Sequence, residues 1–163
     1  MLRLHPTFAP SFPAMQIYVH VPSQTLDLLD SSGNLLRRYA VSTSKFGLGF
    51  QEGSHQTPTG RFRIGEMIGE GAEPGAIFVA RQPTGEFGQE ADPQDRVQTR
   101  ILWLEGQDEE NANTRDRYIY IHGTNAESAL GLPASHGCIR MSNLDVIDLY
   151  DRVEPGTPMI IEA

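Results

Sequence analysis

The segment Ser135-His136-Gly137-Cys138-Ile139-Arg140-Met141 holds the only cysteine among the 163 residues of the chain. A thiol reacts as its thiolate, so a reactive cysteine needs a cation, an imidazole or oriented backbone N–H groups close to it. The segment shows neither strand alternation nor a helical apolar stripe, which indicates a loop. Its serine, histidine, glycine and arginine are also poor core material. We therefore expect Cys138 to be a nucleophile that a loop carries.

Two histidines are candidate partners for this thiol. His122 ends the alternating aromatic and β-branched run Tyr118–His122, which predicts a strand, and His136 lies two residues before the cysteine. Gly137 lets the backbone adopt angles closed to other residues, so N–H groups near it can point at a developing oxyanion. The elements of nucleophilic catalysis thus fall within one short stretch of chain.

Cys138 also has two possible roles outside catalysis. A lone cysteine is most often a buried, unreactive small hydrophobic residue. Alternatively, His122, His136 and Cys138 are zinc ligands, although zinc sites usually show Cys-x-x-Cys or closely spaced histidine pairs, which this chain lacks. The polar neighbours and the missing spacing favour the catalytic interpretation. We accordingly expect neither a metal ion nor a cofactor.

His122-Gly123-Thr124, followed by a loop and then by the cysteine segment, resembles the signature of the L,D-transpeptidase catalytic domain, or YkuD-like, family. The segment Thr57-Pro58-Thr59-Gly60-Arg61-Phe62 is similar to the family's Thr-Pro-x-Gly segment. The opening hairpin pattern, Ile17–Val21 and then Gln24–Leu29, also fits the family. The resemblance extends from about Met15 to the C-terminus.

The resemblance implies a role for each catalytic position. Cys138 would attack the carbonyl that joins the L-centre of meso-diaminopimelate to the terminal D-alanine of a peptidoglycan stem tetrapeptide. His122 would act as general base and then as general acid. The backbone carbonyl of Gly123 would orient that imidazole. The N–H groups of Gly137 and Cys138 would form the oxyanion hole, where one donor is worth about 3 kcal/mol in comparable sites.

The remaining site residues keep alternatives. Arg140 would bind a substrate carboxylate bidentately or form a structural ion pair. His136 would assist the thiolate, hold the loop, or compete with His122 as the base, and family analogy favours His122. Ser135 and Thr124 are candidate donors to the substrate, although small hydroxyls in turns more often bond their own backbone.

Composition indicates one domain and excludes some partners. At 163 residues and 18.0 kDa with 39% hydrophobic residues, the chain can form one normal core, which we assign to residues 15–163. The formal charge of −8 argues against nucleic-acid or anionic-membrane binding. Residues 1–14 contain three prolines and no apolar run, which indicates a flexible extension without a signal peptide. We expect a cytoplasmic protein, or a periplasmic one if a leader was removed.

The patterns predict a mainly β fold with a helix after the cysteine loop. Ser142 is its expected N-cap and Pro155-Gly156 its end. The family resemblance implies a β-sandwich with long active-site loops. The predicted strands are Ile17–Val21, Thr25–Leu29, Leu35–Ser42, Gly60–Ile64, Ile77–Ala80, Arg100–Leu104, Tyr118–His122 and Met159–Glu162.

The resemblance leaves the acyl acceptor open. Water would give an L,D-carboxypeptidase acting on soluble stem peptides (muropeptides) in peptidoglycan recycling, which the expected location favours. An amine would give a transpeptidase that forms 3→3 cross-links or exchanges D-amino acids. A non-catalytic muropeptide binder is a third hypothesis, weakened because every catalytic position is filled. The family further implies covalent inhibition by carbapenem-type β-lactams.

Overall fold

A computed structural model describes residues 14–163, so the predicted extension at residues 1–14 lies, except for Ala14, outside the described residues. The described part forms ten strands and one α-helix, which confirms a mainly β fold. Its elements are β1 Gln16–His20, β2 Thr25–Leu29, β3 Leu35–Ala40, β4 Gly60–Ile68, β5 Ala76–Val79, β6 Gln82–Phe87, β7 Val97–Gly106, β8 Tyr120–Gly123, β9 Ile139–Met141, α1 Asn143–Arg152 and β10 Pro158–Glu162.

All ten strands join one hydrogen-bonded sheet. Its order is β3-β2-β1-β10-β4-β7-β5-β6, with β8 added to β7 and β9 added to β8. Two pairs are parallel: β1 with β10, and β8 with β9. The C-terminal strand therefore lies inside the sheet, between β1 and β4, and the cysteine loop leads into β9 beside the histidine strand.

The main core lies between the folded sheet and α1. Alternate residues of the strands point into it, as the period of two requires. The helix begins at the predicted N-cap, where the Ser142 hydroxyl accepts a hydrogen bond from the Asp145 N–H at 3.0 Å. Val146 and Leu149 of the helix are fully buried in this core. The helix follows β9 directly and packs against β7 and β8.

Two strands, β6 and β9, were not predicted from the alternation of apolar and polar residues. Every side chain of β6 is exposed, so no apolar pattern marks it in the sequence after the predicted strand Ile77–Ala80. β9 has three residues, too few to show a period. The β5–β6 hairpin turns on Ala80 and Arg81, because Val79 pairs with Gln82. Both turn residues have positive φ, 47° and 65°.

Within residues 14–163, no helix has both the length and the apolar character that a membrane crossing requires.

Candidate active site

The pairing of β8 with β9 brings His122 and Cys138 to one face of the sheet. Ile121 lies beside Ile139, and His122 beside Arg140. Because successive side chains of a strand alternate between faces, the two isoleucines point into the main core. The side chains of His122, Arg140 and Cys138 share the opposite face. The parallel register therefore unites two candidates that lie far apart in the sequence.

The sulfur of Cys138 is partly accessible and packs against an aromatic wall. Cys138 packs against a small apolar cluster that includes Trp103 and Tyr120. The Tyr120 N–H donates to Sγ at 3.3 Å, and the thiol donates to the Tyr118 carbonyl at 3.4 Å. Burial raises the pKa of the Cys138 thiol above its usual value, and the Tyr120 N–H opposes that rise. The resting sulfur accordingly keeps its proton.

His122 is buried and held in one orientation. Its side chain is 1% exposed, and Nδ1 lies 2.6 Å from the carbonyl oxygen of Gly123. A carbonyl only accepts hydrogen bonds, so Nδ1 carries the proton and Nε2 keeps its lone pair. Burial lowers the pKa of His122, which keeps the imidazole neutral. The predicted role of the Gly123 carbonyl fits this geometry.

Arg140 forms an ion pair behind the catalytic pair. Its Nη2 lies 2.7 Å from Asp95 Oδ2, and the side chains are only 6% and 15% exposed. Among residues 14–163, Nε of Arg140 and Oδ1 of Asp95 are buried without hydrogen-bond partners. Of the two roles considered for Arg140, the structure shows the ion pair, and substrate binding stays a prediction. The sequence did not single out Asp95, which lies in a long polar loop.

His136 lies on the exposed side of the site, near the carboxylate that pairs with Arg140. Its side chain is 47% exposed, with Nδ1 3.9 Å from Asp95 Oδ2. Its ring centroid lies 5.8 Å from that of Phe46 and 6.2 Å from that of His55. His136 therefore belongs to the mouth of the site, whereas His122 shares the sheet face of the sulfur.

Ser135 and Thr57 organise the cysteine loop. The Ser135 hydroxyl donates to the Cys138 carbonyl at 2.6 Å and accepts from the Gly137 N–H at 3.2 Å. The Thr57 hydroxyl donates to the Gly137 carbonyl at 3.0 Å. The Gly137 N–H thus already donates to Ser135, and the oxyanion role of the Gly137 and Cys138 N–H groups stays a prediction. The Tyr120 N–H donates to the sulfur itself.

Thr124 forms a hydrogen bond within its own turn. Its hydroxyl is fully buried and accepts a hydrogen bond from the Ala126 N–H at 3.0 Å. Like Ser135, it bonds the backbone, as small hydroxyls in turns commonly do. Their predicted substrate contacts stay predictions.

Two clefts adjoin the catalytic face. A cleft of about 170 Å³ is lined by Arg117, Tyr118 and His136, among others. A wider cleft of about 630 Å³ is lined by Phe78 and Arg81, among others. The first includes Tyr118, whose carbonyl contacts the thiol, and the second includes Arg81, which lies on the rings of Trp103 and Tyr118.

No set of three or more histidine, cysteine, aspartate or glutamate side chains within residues 14–163 converges as metal ligands would. The zinc alternative therefore has no ligand set in this part of the chain.

A neutral histidine fixed through Nδ1 and a protonated cysteine on the same face of a mainly β scaffold form an arrangement suited to nucleophilic catalysis. The family model of the L,D-transpeptidase catalytic domain, YkuD, matches residues 14–161. The chain belongs to this family.

Relatives and solved structures agree with that assignment. A Bacillus subtilis (strain 168) protein assigned as an L,D-transpeptidase, YkuD, is 30% identical over 145 residues, 89% of this chain and 64% of its own length. An L,D-transpeptidase from Mycobacterium smegmatis has a TM-score of 0.60 at 20% identity, covering 93% of this chain and 59% of its own. L,D-transpeptidase 3 from Mycobacterium tuberculosis, in complex with a faropenem-derived adduct, gives 0.61 at 19% identity, covering 93% and 61%. The chain thus spans less than two thirds of these relatives.

Proposed function

We propose that this protein is an L,D-carboxypeptidase that removes D-alanine from peptidoglycan stem tetrapeptides through a thioester on Cys138. The observation that carries the proposal is the fixed tautomer of His122. Its Nδ1–H donates to the Gly123 carbonyl, which leaves Nε2 as a base on the sheet face of the sulfur. A structural cysteine would need no oriented imidazole beside it.

In the first half-reaction, Cys138 Sγ attacks the carbonyl between meso-diaminopimelate and D-alanine. The S–C bond forms while the thiol proton moves to Nε2 of His122. Burial disfavours both charged forms before substrate arrives. Proton transfer and attack are therefore expected in one step. The tetrahedral intermediate then breaks its C–N bond, and His122 protonates the departing amine.

In the second half-reaction, water attacks the thioester. His122 takes a proton from the water, the S–C bond breaks, and the sulfur recovers its proton from His122. The product is the stem tripeptide with a free carboxylate. The cleft of about 170 Å³ beside Tyr118 and His136 supports water as the acceptor, because it is smaller than most sites for whole ligands.

A transpeptidase is the second candidate. The names of the relatives favour it, and the wider cleft of about 630 Å³ offers room for an amine acceptor. It shares the first half-reaction and differs only in what attacks the thioester. Fractionation of the native protein bears on the choice, since cross-linking requires the polymeric wall and a recycling enzyme would meet soluble muropeptides in the cytoplasm.

The test is incubation of the purified protein with a synthetic stem tetrapeptide, with and without a D-amino acid. Release of D-alanine and tripeptide without added amine is expected. Exchange product alone would instead favour the transpeptidase, and no product in either mixture would exclude both. Cys138→Ala should lose essentially all turnover. His122→Gln should lose far more than the matched variant His136→Gln, because His136 lies at the mouth.

β-Lactam acylation provides a second readout of the same sulfur. We expect a carbapenem to add its mass once to the intact protein, since Cys138 is the only cysteine. The added mass should be absent from Cys138→Ala.

A further inference from the structure

Arg81 presents a guanidinium with no acidic partner in the described part of the chain. It lies at the tip of the β5–β6 hairpin, partly buried, and its Nη1 donates to the Tyr120 hydroxyl at 3.2 Å. Its Cζ lies 4.9 Å from the ring centroid of Trp103 and 5.1 Å from that of Tyr118. A phenol occupies one of five guanidinium N–H donors. The others are available to a further acceptor.

Arg81 and the Cys138 thiol contact the same aromatic wall, which consists of Trp103, Tyr118 and Tyr120. The Tyr120 N–H donates a hydrogen bond to Cys138 Sγ, and the Tyr118 carbonyl accepts one from the thiol. Trp103 belongs to the cluster on which Cys138 packs. The sulfur and the guanidinium thus contact opposite ends of one residue, Tyr120. A peptide whose carbonyl meets Cys138 can reach Arg81.

The turn chemistry indicates that Arg81 is not there to stabilise the hairpin. A two-residue turn with positive φ at both positions favours Asn-Gly, and here it contains Ala80 and Arg81. An arginine at φ 65° strains the backbone, and such strain clusters at ligand-binding sites. Arg81 thus occupies a turn position that glycine would fill with less backbone strain.

Arg115 offers an internal comparison. Its Cζ lies 4.0 Å from the Trp103 ring centroid, but its guanidinium is paired with Glu66 at 2.6 Å and with Glu105 at 3.6 Å. Glu66 and Glu70 line the same cleft as Arg81, and Glu66 forms its ion pair with Arg115 and only a longer-range attraction with Arg81. Of the two cations on this indole, only Arg115 is paired with carboxylates within residues 14–163.

We infer that Arg81 is a specificity-determining residue that binds a carboxylate of the substrate in the cleft of about 630 Å³ beside the catalytic face. This inference rests on the proposed function, since a stem tetrapeptide supplies such groups. Its terminal D-alanine and the D-centre of its diaminopimelate each carry a carboxylate near the scissile bond. A guanidinium binds either through paired N–H donors.

The experiment measures kcat/KM of wild type and Arg81→Gln on three tetrapeptides: the free acid, the D-alanine amide, and the form amidated at the D-centre of diaminopimelate. On the free acid we expect the variant to lose about 10- to 100-fold, the value of a charge-assisted hydrogen bond. The loss should vanish for the one amide that lacks the bound carboxylate, which identifies its source. Arg81→Lys should recover part of the activity.

Two controls separate recognition from structure. Arg115→Gln removes a cation from the same ring and should show no dependence on substrate amidation. Arg81→Gly places a residue suited to φ 65° in the turn, so its thermal unfolding midpoint should equal or exceed that of wild type while kcat/KM still falls. An unchanged kcat/KM in Arg81→Gln, or a loss that persists on both amides, overturns the inference. Absence of wild-type turnover would instead overturn the proposed function.

Discussion

Cys138 and His122 lie where burial disfavours charge on both. The pKa of the thiol is raised, and the pKa of the imidazole is lowered from the ordinary 6.5. The free enzyme therefore holds a neutral pair over the physiological range. Activity requires neutral His122 as the base, so kcat/KM should fall on acidification only below pH 6.5. It should stay level past pH 8.5, where free thiols ionise, because the pKa of Cys138 is raised.

Alkylation by iodoacetamide checks the state of the sulfur directly. The rate follows the thiolate fraction, so it should remain low at pH 8.5 and rise only at higher pH. Thiolate absorbance near neutral pH would contradict this prediction. A small free thiol such as glutathione, measured in parallel, provides the control.

Thr57→Val tests how the cysteine loop is held. The buried Thr57 hydroxyl donates to the Gly137 carbonyl and accepts from the Ser44 N–H, both at 3.0 Å. Valine keeps the shape but leaves both backbone groups unpaired, which should lower the free energy of unfolding by about 1–3 kcal/mol and also lower kcat. Urea unfolding and turnover measure the two effects. Thr59→Val in the same segment is the matched control and should change neither.

At the scale of the elements, β8 depends on a residue without a side chain. A Cβ at Gly123 would meet the Gln98 carbonyl oxygen at 2.9 Å and clash with the Asn143 side chain. Gly123→Ala should therefore displace the carbonyl that orients His122. We expect a lower thermal unfolding midpoint together with a loss of turnover. Wild-type stability with full turnover would show that β7 and β8 can separate without disturbing the site.

The elements also show what the sequence could reveal. Eight strands overlapped their predicted runs because alternation marks a strand with one buried face, as in β1, where Ile17 and Val19 are buried. The exposed β6 has no such face, and its pairing with β5 depends on the hairpin. The α1 start was predictable because an N-cap is a local signal, which Ser142 provides.

The site divides in the same way. His122 and Cys138 sit in local motifs and could be predicted from the sequence. Asp95 could not, because its ion pair with Arg140 depends on the tertiary path of a long loop. Arg81 carried no motif either, since only the fold of the hairpin brings it to the aromatic wall. Long-range contacts of this kind leave no periodic trace in the sequence.

For the whole molecule, the last strand should be indispensable. β10 lies between β1 and β4, and its Met159 and Ile161 are each 1% exposed. Deleting residues 158–163 would remove buried apolar surface and open two strand edges inside the sheet. We expect a product without a cooperative thermal transition, measured by circular dichroism. Deletion of the exposed Ala163 alone should leave the transition unchanged.

The protonated state of Cys138 has a consequence for the lifetime of the protein. Peroxide oxidises the thiolate and not the thiol, and the first product, sulfenic acid, leads on to irreversible sulfinic and sulfonic acids. Because the free enzyme keeps this sulfur protonated, its rate of oxidation by peroxide should be low. The crowded aromatic wall beside Tyr120 therefore also protects an irreplaceable atom, because the chain contains no second thiol that could form a disulfide with it.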